Sequence, residues 1–315
     1  MDALADLLDG VRARSAAFCQ VVLEPPWALR IADEAPLALA TAMRGHAWIV
    51  PDDAAPTLIC TGDVAVIKGP SHYTVGDHPD TAPSMVVDTD NRLTNAEGVD
   101  VTAELRLRPY VSAFGPPVGD GPEDTAILAS GTYQVTGDVT GRLLAALPRV
   151  VRVPREEVRS PIMDLLAAEV GRDEPGQRVV LDRLLDLALI ATLRAWFARP
   201  EADAPGWYLA HGDPLVGHAL RMIHDDPAWP WTVASLAAIA GASRAAFARR
   251  FTTLVGQPPM TYVAHWRLDR AADLLRDTDA TVEAIARQVG YANAFALTVA
   301  FKRVRGNTPR QHRNG

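Results

Sequence analysis

Arg244, Arg249 and Arg250 stand close together, and Lys302 and Arg303 stand about 50 residues further on. A guanidinium can donate two parallel hydrogen bonds to a guanine edge or to a phosphate, and an ammonium is a point charge suited to phosphate. Ahead of each group lies the same pattern: an apolar run at helical spacing, a glycine, then Ser or Asn opening a second helix. The first copy runs Val233 to Gly241, Ser243 and Phe251, and the second Val282 to Gly290, Asn293 and Phe301. Gly241 and Gly290 suit the positive φ of a tight turn. Ser243 and Asn293 are good N-caps. Two short helices joined this way form a helix-turn-helix, and the second helix of each pair is the one able to enter a DNA groove.

Periodicity divides each second helix into two faces. Phe247, Phe251 and Leu254 should be core, with Ala245, Ala248, Arg249 and Thr252 opposite. In the second copy Leu297, Phe301 and Val304 should be core, with Phe295, Thr298, Val299 and Lys302 opposite. Between the copies, residues 259–277 should form one helix, about 28 Å long at 1.5 Å per residue. That length suits two helices in successive major grooves, about 34 Å apart.

Charge supports this division. The chain has 315 residues and a net charge of −7, yet residues 210–315 carry +5 and residues 1–209 carry −12. One end of an acidic protein is therefore suited to an anionic partner. The length suggests two domains, and 48% apolar residues exclude a disordered tail. No apolar run is long enough to span a membrane, and the acidic start lacks the features of a secretory signal. A cytoplasmic location is the simplest expectation. Cys19 and Cys60 are too few for a disulfide scaffold.

The N-terminal half reads differently. Residues 2–18 have the spacing of a short amphipathic helix. From about 19 to 153, short apolar runs alternate with turn residues: 19–23, 28–31, 38–43, 47–50, 57–60, 64–67, 85–87, 126–129 and 132–135. This predicts a β-barrel or sandwich. Residues 88–124 read as a long loop with one strand at 102–107. A helix marked by Ile162, Leu165, Leu166 and Val170 follows, then a longer one over 178–199. The longer helix is apolar over a wide arc, with Val180, Leu187, Ile190 and Phe197 outside its main stripe, which suits packing within the domain, a dimer contact, or both. Residues 200–205 read as a linker.

Trp231-Thr232-Val233, Gly241-Ala242-Ser243-Arg244, Phe247 to Phe251, Gly256 to Pro259, Arg267 to Ala271, Ile285-Ala286, Val289-Gly290-Tyr291 and Phe301-Lys302-Arg303 together resemble the AraC/XylS family of transcription regulators. Thr308-Pro309 followed by Arg313 resembles its closing signature. The resemblance covers about residues 213–312 and implies a first helix at 214–224. Residues 2–198 resemble, more weakly, a cupin-type sensory domain. The resemblance implies base contacts from Ala245, Ala248 and Arg249, and from Ala294, Phe295 and Val299. Phe295 and Val299 depart from the family, which more often has polar readers there. The second motif then either reads thymine methyls or mainly positions the domain. Ser243, Arg244, Arg250, Asn293, Thr298, Lys302 and Arg303 complete the expected DNA face, with Arg244, Arg250, Lys302 and Arg303 on phosphate.

A metal-bearing cupin has two histidine-containing halves. Gly62-Asp63-Val64 through Gly69-Pro70 to His72 resembles the second, but His46 lacks the companions of the first. About three ligands are needed for a catalytic metal, so no metal or cofactor is expected. His46 and His72 remain candidates for ligand binding. Cys60, in an apolar run, should be core, leaving Cys19 as the candidate redox thiol.

The expectation is an α+β two-domain protein. A cupin-like β-barrel with flanking helices occupies residues 1–199, a linker 200–210, and an all-α tandem helix-turn-helix domain 211–315. Its expected function is sequence-specific regulation of transcription under a small-molecule or redox signal, with no enzymatic activity. The alternatives are a metal-dependent cupin enzyme with an accessory DNA-binding module and a thiol switch using Cys19. Expected partners are double-stranded DNA, a small-molecule effector, a second copy of the chain and, for an activator, RNA polymerase, but no membrane.

Overall fold

The computed structural model describes residues 11–12, 19–23, 25–90, 92–95, 97–101, 126–135, 141, 144–158, 161–170, 174–199, 202 and 204–314. The chain divides into two compact units, one holding the strands and the first two helices, the other holding every helix from residue 206 onward.

In the first unit, twelve strands among the described residues form two sheets. They are β1 (Val11–Arg12), β2 (Cys19–Leu23), β3 (Ala28–Ile31), β4 (Leu37–Arg44), β5 (His46–Pro51), β6 (Thr57–Cys60), β7 (Val64–Lys68), β8 (Tyr73–Gly76), β9 (Met85–Val87), β10 (Leu93–Asn95), β11 (Ala126–Val135) and β12 (Val150–Val153). One sheet has the order β1-β11-β4-β7-β12, with β2 also on β11, and the other β10-β9-β3-β8-β5-β6. Between the sheets lie Trp27, Leu29, Ile49, Ile59, Ile67, Val75 and Leu128, with the small residues Ala38, Ala42, Ala47 and Ala65.

Alternation fails along β7 because both of its faces are covered. Ala65 and Ile67 face the second sheet, and Val64 and Val66 are buried on the other face. Helices α1 (Ile162–Val170) and α2 (Gln177–Phe197) pack together, and α2 lies against β7 and β12. The Tyr133 hydroxyl donates to the Leu185 carbonyl at 2.8 Å. A Cβ on Gly131 would lie 2.8 Å from Leu185, so the glycine lets β11 and α2 approach closely.

Three expectations change here. Val11 and Arg12, expected in a helix, pair with Val135 and Gln134 of β11; residues 2–10 and 13–18 lie outside the described residues. The runs 126–129 and 132–135 are one strand, because Ser130 and Gly131 stay in register with β4 despite their turn-like chemistry. Cys60, expected in the core, is exposed at the end of edge strand β6. The strand expected at 102–107 also lies outside the described residues.

The second unit contains α3 (Gly206–Ala210), α4 (Val216–Asp225), α5 (Val233–Ile239), α6 (Arg244–Val255), α7 (Pro259–Asp277), α8 (Val282–Gln288), α9 (Ala294–Arg305) and α10 (Pro309–Arg313). Residues 206–210, expected in the linker, form a helix that packs on α6. A Cβ on Gly206 would fall 2.4 Å from the Leu254 carbonyl oxygen, so only glycine permits that contact.

An internal repeat is visible in the caps. Thr232 caps α5 and Thr281 caps α8; Ser243 caps α6 and Asn293 caps α9; Gly256 and Gly306 close the two second helices in the left-handed conformation. Each α6 or α9 is followed by a Pro-initiated helix, α7 or α10. The turn of the second copy holds one residue more than that of the first.

Gly241 has φ +66 with nothing near its missing Cβ. Gly290 has φ +85, and a Cβ there would lie 2.8 Å from both Ala228 Cα and Arg267 Nη2. Gly241→Ala should therefore cost only the backbone strain, about 1 kcal/mol. Gly290→Ala adds an overlap with backbone and should cost more than about 2 kcal/mol. Urea unfolding of the two variants measures this, and equal losses would show that the contact at Gly290 does not matter.

Candidate nucleic-acid interface

The two second helices, α6 and α9, have equal length, and their N-caps set the same rotation. The Ser243 hydroxyl accepts from the Ala246 N–H at 3.3 Å, and Asn293 Oδ1 accepts from the Ala296 N–H at 2.8 Å. Phe247 and Phe251 are fully buried in α6, as are Leu297 and Phe301 in α9. The opposite faces fall in register. In α6 the stripe is Ala245, Arg249, Thr252 and Thr253; in α9 it is Phe295, Val299, Lys302 and Arg303. All eight residues are exposed. Ala248, Ala294 and Thr298 lie half-buried at the edges of these faces.

Two core expectations shift. Leu254 is half-buried, and Val304 is 47% exposed. The place expected for Val304 is taken by Arg305, whose guanidinium pairs with Asp269 at 2.7 Å and lies over the Phe301 ring at 5.3 Å. A charged side chain thus covers the aromatic edge with its stem and reaches a carboxylate with its head.

Polar groups on the two faces differ in availability. The Thr252 and Thr253 hydroxyls donate to the Ala248 and Arg249 carbonyls, and Thr298 donates to Ala294 at 2.7 Å. Arg244, Arg249 and Lys302 form no ion pair with any described residue. Arg250 differs: its Nε and Nη2 donate to Asp213 Oδ2 at 2.8 and 2.5 Å. Asp213 Oδ1 in turn accepts from the N–H groups of Leu215 and Val216 at the start of α4. Arg250 therefore ties α6 to the start of α4.

Sequence spacing did not reveal several supports. Glu283 of α8 accepts from the Ala294 N–H at 2.8 Å and from Arg287 at 3.0 Å, joining the two helices of the second motif. These two donors hold its carboxyl below the usual range, the backbone N–H being the larger cause. Position 234, the counterpart in the first motif, is alanine. Arg313 donates to the Leu275 carbonyl near the end of α7 and to the Ala280 carbonyl in the loop before α8, which gives the closing signature its structural role. Thr308 and Gln311 form a capping box at α10.

The N-terminal candidates do not converge. His46 is exposed at the start of β5, opposite Cys60 of β6. His72 is half-buried just before β8, with its carbonyl accepting from Asp52 at the far end of β5. The length of β5, about 17 Å at 3.3 Å per residue, separates them. Around His72 gathers a polar rim: Arg30 pairs with Asp52 at 2.5 Å, Arg149 with Asp53 at 2.9 Å, and Asp33 stands nearby with its pKa raised by burial. Asp63 is engaged by Arg152 at 2.7 Å and by the Cys60 N–H at 3.0 Å. Among the described residues no three His, Cys, Asp or Glu side chains gather as metal ligands. Cys19 pairs through its backbone with Ser130 of β11, and its thiol lies outside the described side chains.

The Asp213–Arg250 pair has a pH signature. The Arg250 guanidinium holds the Asp213 carboxyl below its usual range. A depressed folded pKa contributes stability above the unfolded value, near pH 4, which is lost as pH falls through the folded pKa. Asp213→Asn should lower the melting midpoint at pH 7 by a few degrees at most, since the pair is partly exposed. The gap from the parent protein should close on acidification below about pH 4. A gap that persists through that range would contradict the ionic role.

Comparison with known proteins identifies the family of each half of the chain. Residues 2–198 match the Cupin family and residues 236–315 the helix-turn-helix domain family. Relatives from Streptomyces lividans and Streptomyces antibioticus, both named AraC-like transcription regulators, are 30% and 31% identical over 99% of this chain and 98% of theirs. Among solved structures, the DNA-binding domain of the global transcriptional factor AdpA in complex with a target DNA is similar at 31% identity and TM-score 0.32, over 33% of this chain and 92% of that one. With the cupin match spanning more than half the chain and relatives of this identity along its whole length, the chain belongs to the AraC-like transcription regulators, with a cupin domain ahead of a helix-turn-helix DNA-binding domain.

Proposed function

We propose that this regulator reads a guanine through Arg249 of α6, grips phosphate through Arg244, Lys302 and Arg303, and acts as a homodimer under a signal received by its cupin domain. The observation that carries the reading is the pair of exposed stripes in register, one bearing an arginine among small residues and the other ending in two cations. Ala245 and Ala248 allow α6 to approach the groove floor, and Arg249 supplies a two-pronged donor for guanine O6 and N7. Arg250, held by Asp213, acts as a positioning residue for α6. Ser243 and Asn293 set where each helix starts.

The cupin domain is read as the sensor and not as an enzyme, since the relatives are transcription regulators. Its small-molecule effector would meet the polar rim around His72, where two Arg–Asp pairs leave groups able to bind a polar ligand. An activating regulator would also contact RNA polymerase. No described helix is long and apolar enough to cross a membrane, and the proposed place of action is the cytoplasm, where the DNA lies. The dimer reading rests on α2, which leaves Val179, Val180 and Leu187 at 61%, 44% and 48% exposure; such apolar surface favours burial against a second copy.

Three outcomes follow. On a duplex enriched by the protein from a random pool, Arg249→Ala should lose about 1–3 kcal/mol and relax choice at one base pair. Lys302→Ala should weaken all duplexes alike and reduce the salt slope by about one unit. Equal weakening of specific and scrambled DNA by Arg249→Ala would make Arg249 a phosphate contact. In sedimentation the full chain should run as a dimer and Leu187→Arg as a folded monomer whose melting midpoint is lower than the dimer's and independent of protein concentration; a monomeric parent protein would remove the dimer reading.

A further inference from the structure

Phe295 is 78% exposed and Val299 is 52% exposed, one turn apart on the outer face of α9. The polar groups beside them are already engaged. Asn293 uses its carbonyl oxygen as the N-cap, the Ala294 N–H is held by Glu283, and the Thr298 hydroxyl donates to the Ala294 carbonyl. The N-terminal part of a recognition helix is the part that meets base edges. Here that part offers an aromatic ring and a branched aliphatic side chain. The same stripe continues into Lys302 and Arg303, which matches an apolar floor flanked by phosphates better than it matches a protein partner. On the floor of a major groove, the thymine C5-methyl group is the apolar feature among the four bases.

We propose that α9 reads thymine methyl groups through Phe295 and Val299. The proposal rests on the DNA-binding reading above and specifies its second half. The two motifs then divide the work: α6 selects a guanine by hydrogen bonding, and α9 selects thymines by apolar contact. The operator should carry thymines in the groove segment one helical turn from the guanine that depends on Arg249.

The test uses the full-length protein and the best duplex it enriches from a random pool. Each thymine is replaced in turn by deoxyuridine, which removes only the methyl group. One or two replacements in the α9 segment should weaken binding about fourfold each, the effect of exposing one methyl-sized group. Val299→Ala should lose a similar factor on the thymine duplex and nothing further on the matching deoxyuridine duplex, because the two changes delete the same contact. Phe295→Ala should behave likewise at its own position. Both side chains are exposed, so the variants should keep the parent melting midpoint, measured alongside. Binding unchanged by every deoxyuridine, or losses from Val299→Ala and Phe295→Ala that persist in full on the deoxyuridine duplexes, would overturn the proposal while leaving DNA binding intact. A pool that enriches no duplex would overturn both readings.

Discussion

Arg267 donates from Nε to the Pro227 carbonyl and from Nη2 to the Trp229 carbonyl, both at 2.7 Å, and its head lies where a Cβ on Gly290 would fall. This contact joins the loop before the first helix-turn-helix to the turn of the second. A half-buried guanidinium is tolerable only because two carbonyls compensate its desolvation. Helix α7, which carries Arg267, is shared by two cores. Its first half gives Tyr262 and Trp266 to the first motif, where His224 stacks on Trp266 at 4.0 Å and bonds to Tyr262 at 2.7 Å. Its second half gives Leu268, Ala271, Ala272 and Leu275 to the core of the second, with Ile285, Leu297 and Phe301. The Asp269–Arg305 pair fastens α9 to the same helix. The separation and rotation of α6 and α9 therefore follow from one rigid element of about 28 Å.

An internal repeat organises the rest of the C-terminal unit. The caps, the buried Phe or Leu pairs and the closing glycines are common to both copies because each is required to build the motif. The outward stripes are under no such constraint, and they differ at every position: Ala245 against Phe295, Arg249 against Val299, Thr252 against Lys302 and Thr253 against Arg303. A single scaffold thus carries two outward surfaces of different chemistry. Gly290 is constrained on two grounds, its positive φ and the closeness of Ala228 and Arg267 to its missing Cβ.

Much of this was legible in the sequence wherever local chemistry decides structure. Ser243, Asn293, Gly241 and Gly290 mark caps and turns by residue type, and Pro259 marks the start of α7. Periodicity found Phe247, Phe251, Leu297 and Phe301. It failed at Val304, where a distant carboxylate draws Arg305 over the aromatic ring, because periodicity carries no record of ion pairs 36 residues apart. The same blindness hid the partner of Arg250. In the β unit, turn chemistry misled at Ser130-Gly131, where tertiary packing against Leu185 requires a glycine inside a strand. His72 drew attention through its resemblance to a cupin half and His46 by type alone, and only the register of β5 with β6 and β8 shows that they sit at opposite strand ends.

The central claim is that α7 holds two reading helices on one face of DNA, one turn of duplex apart. Hydroxyl-radical footprinting of the full chain on its enriched duplex tests this most directly. The account predicts that each bound protomer protects two stretches whose centres lie about 10 base pairs apart on the same face. A single protected stretch per protomer, or two on opposite faces, would contradict it.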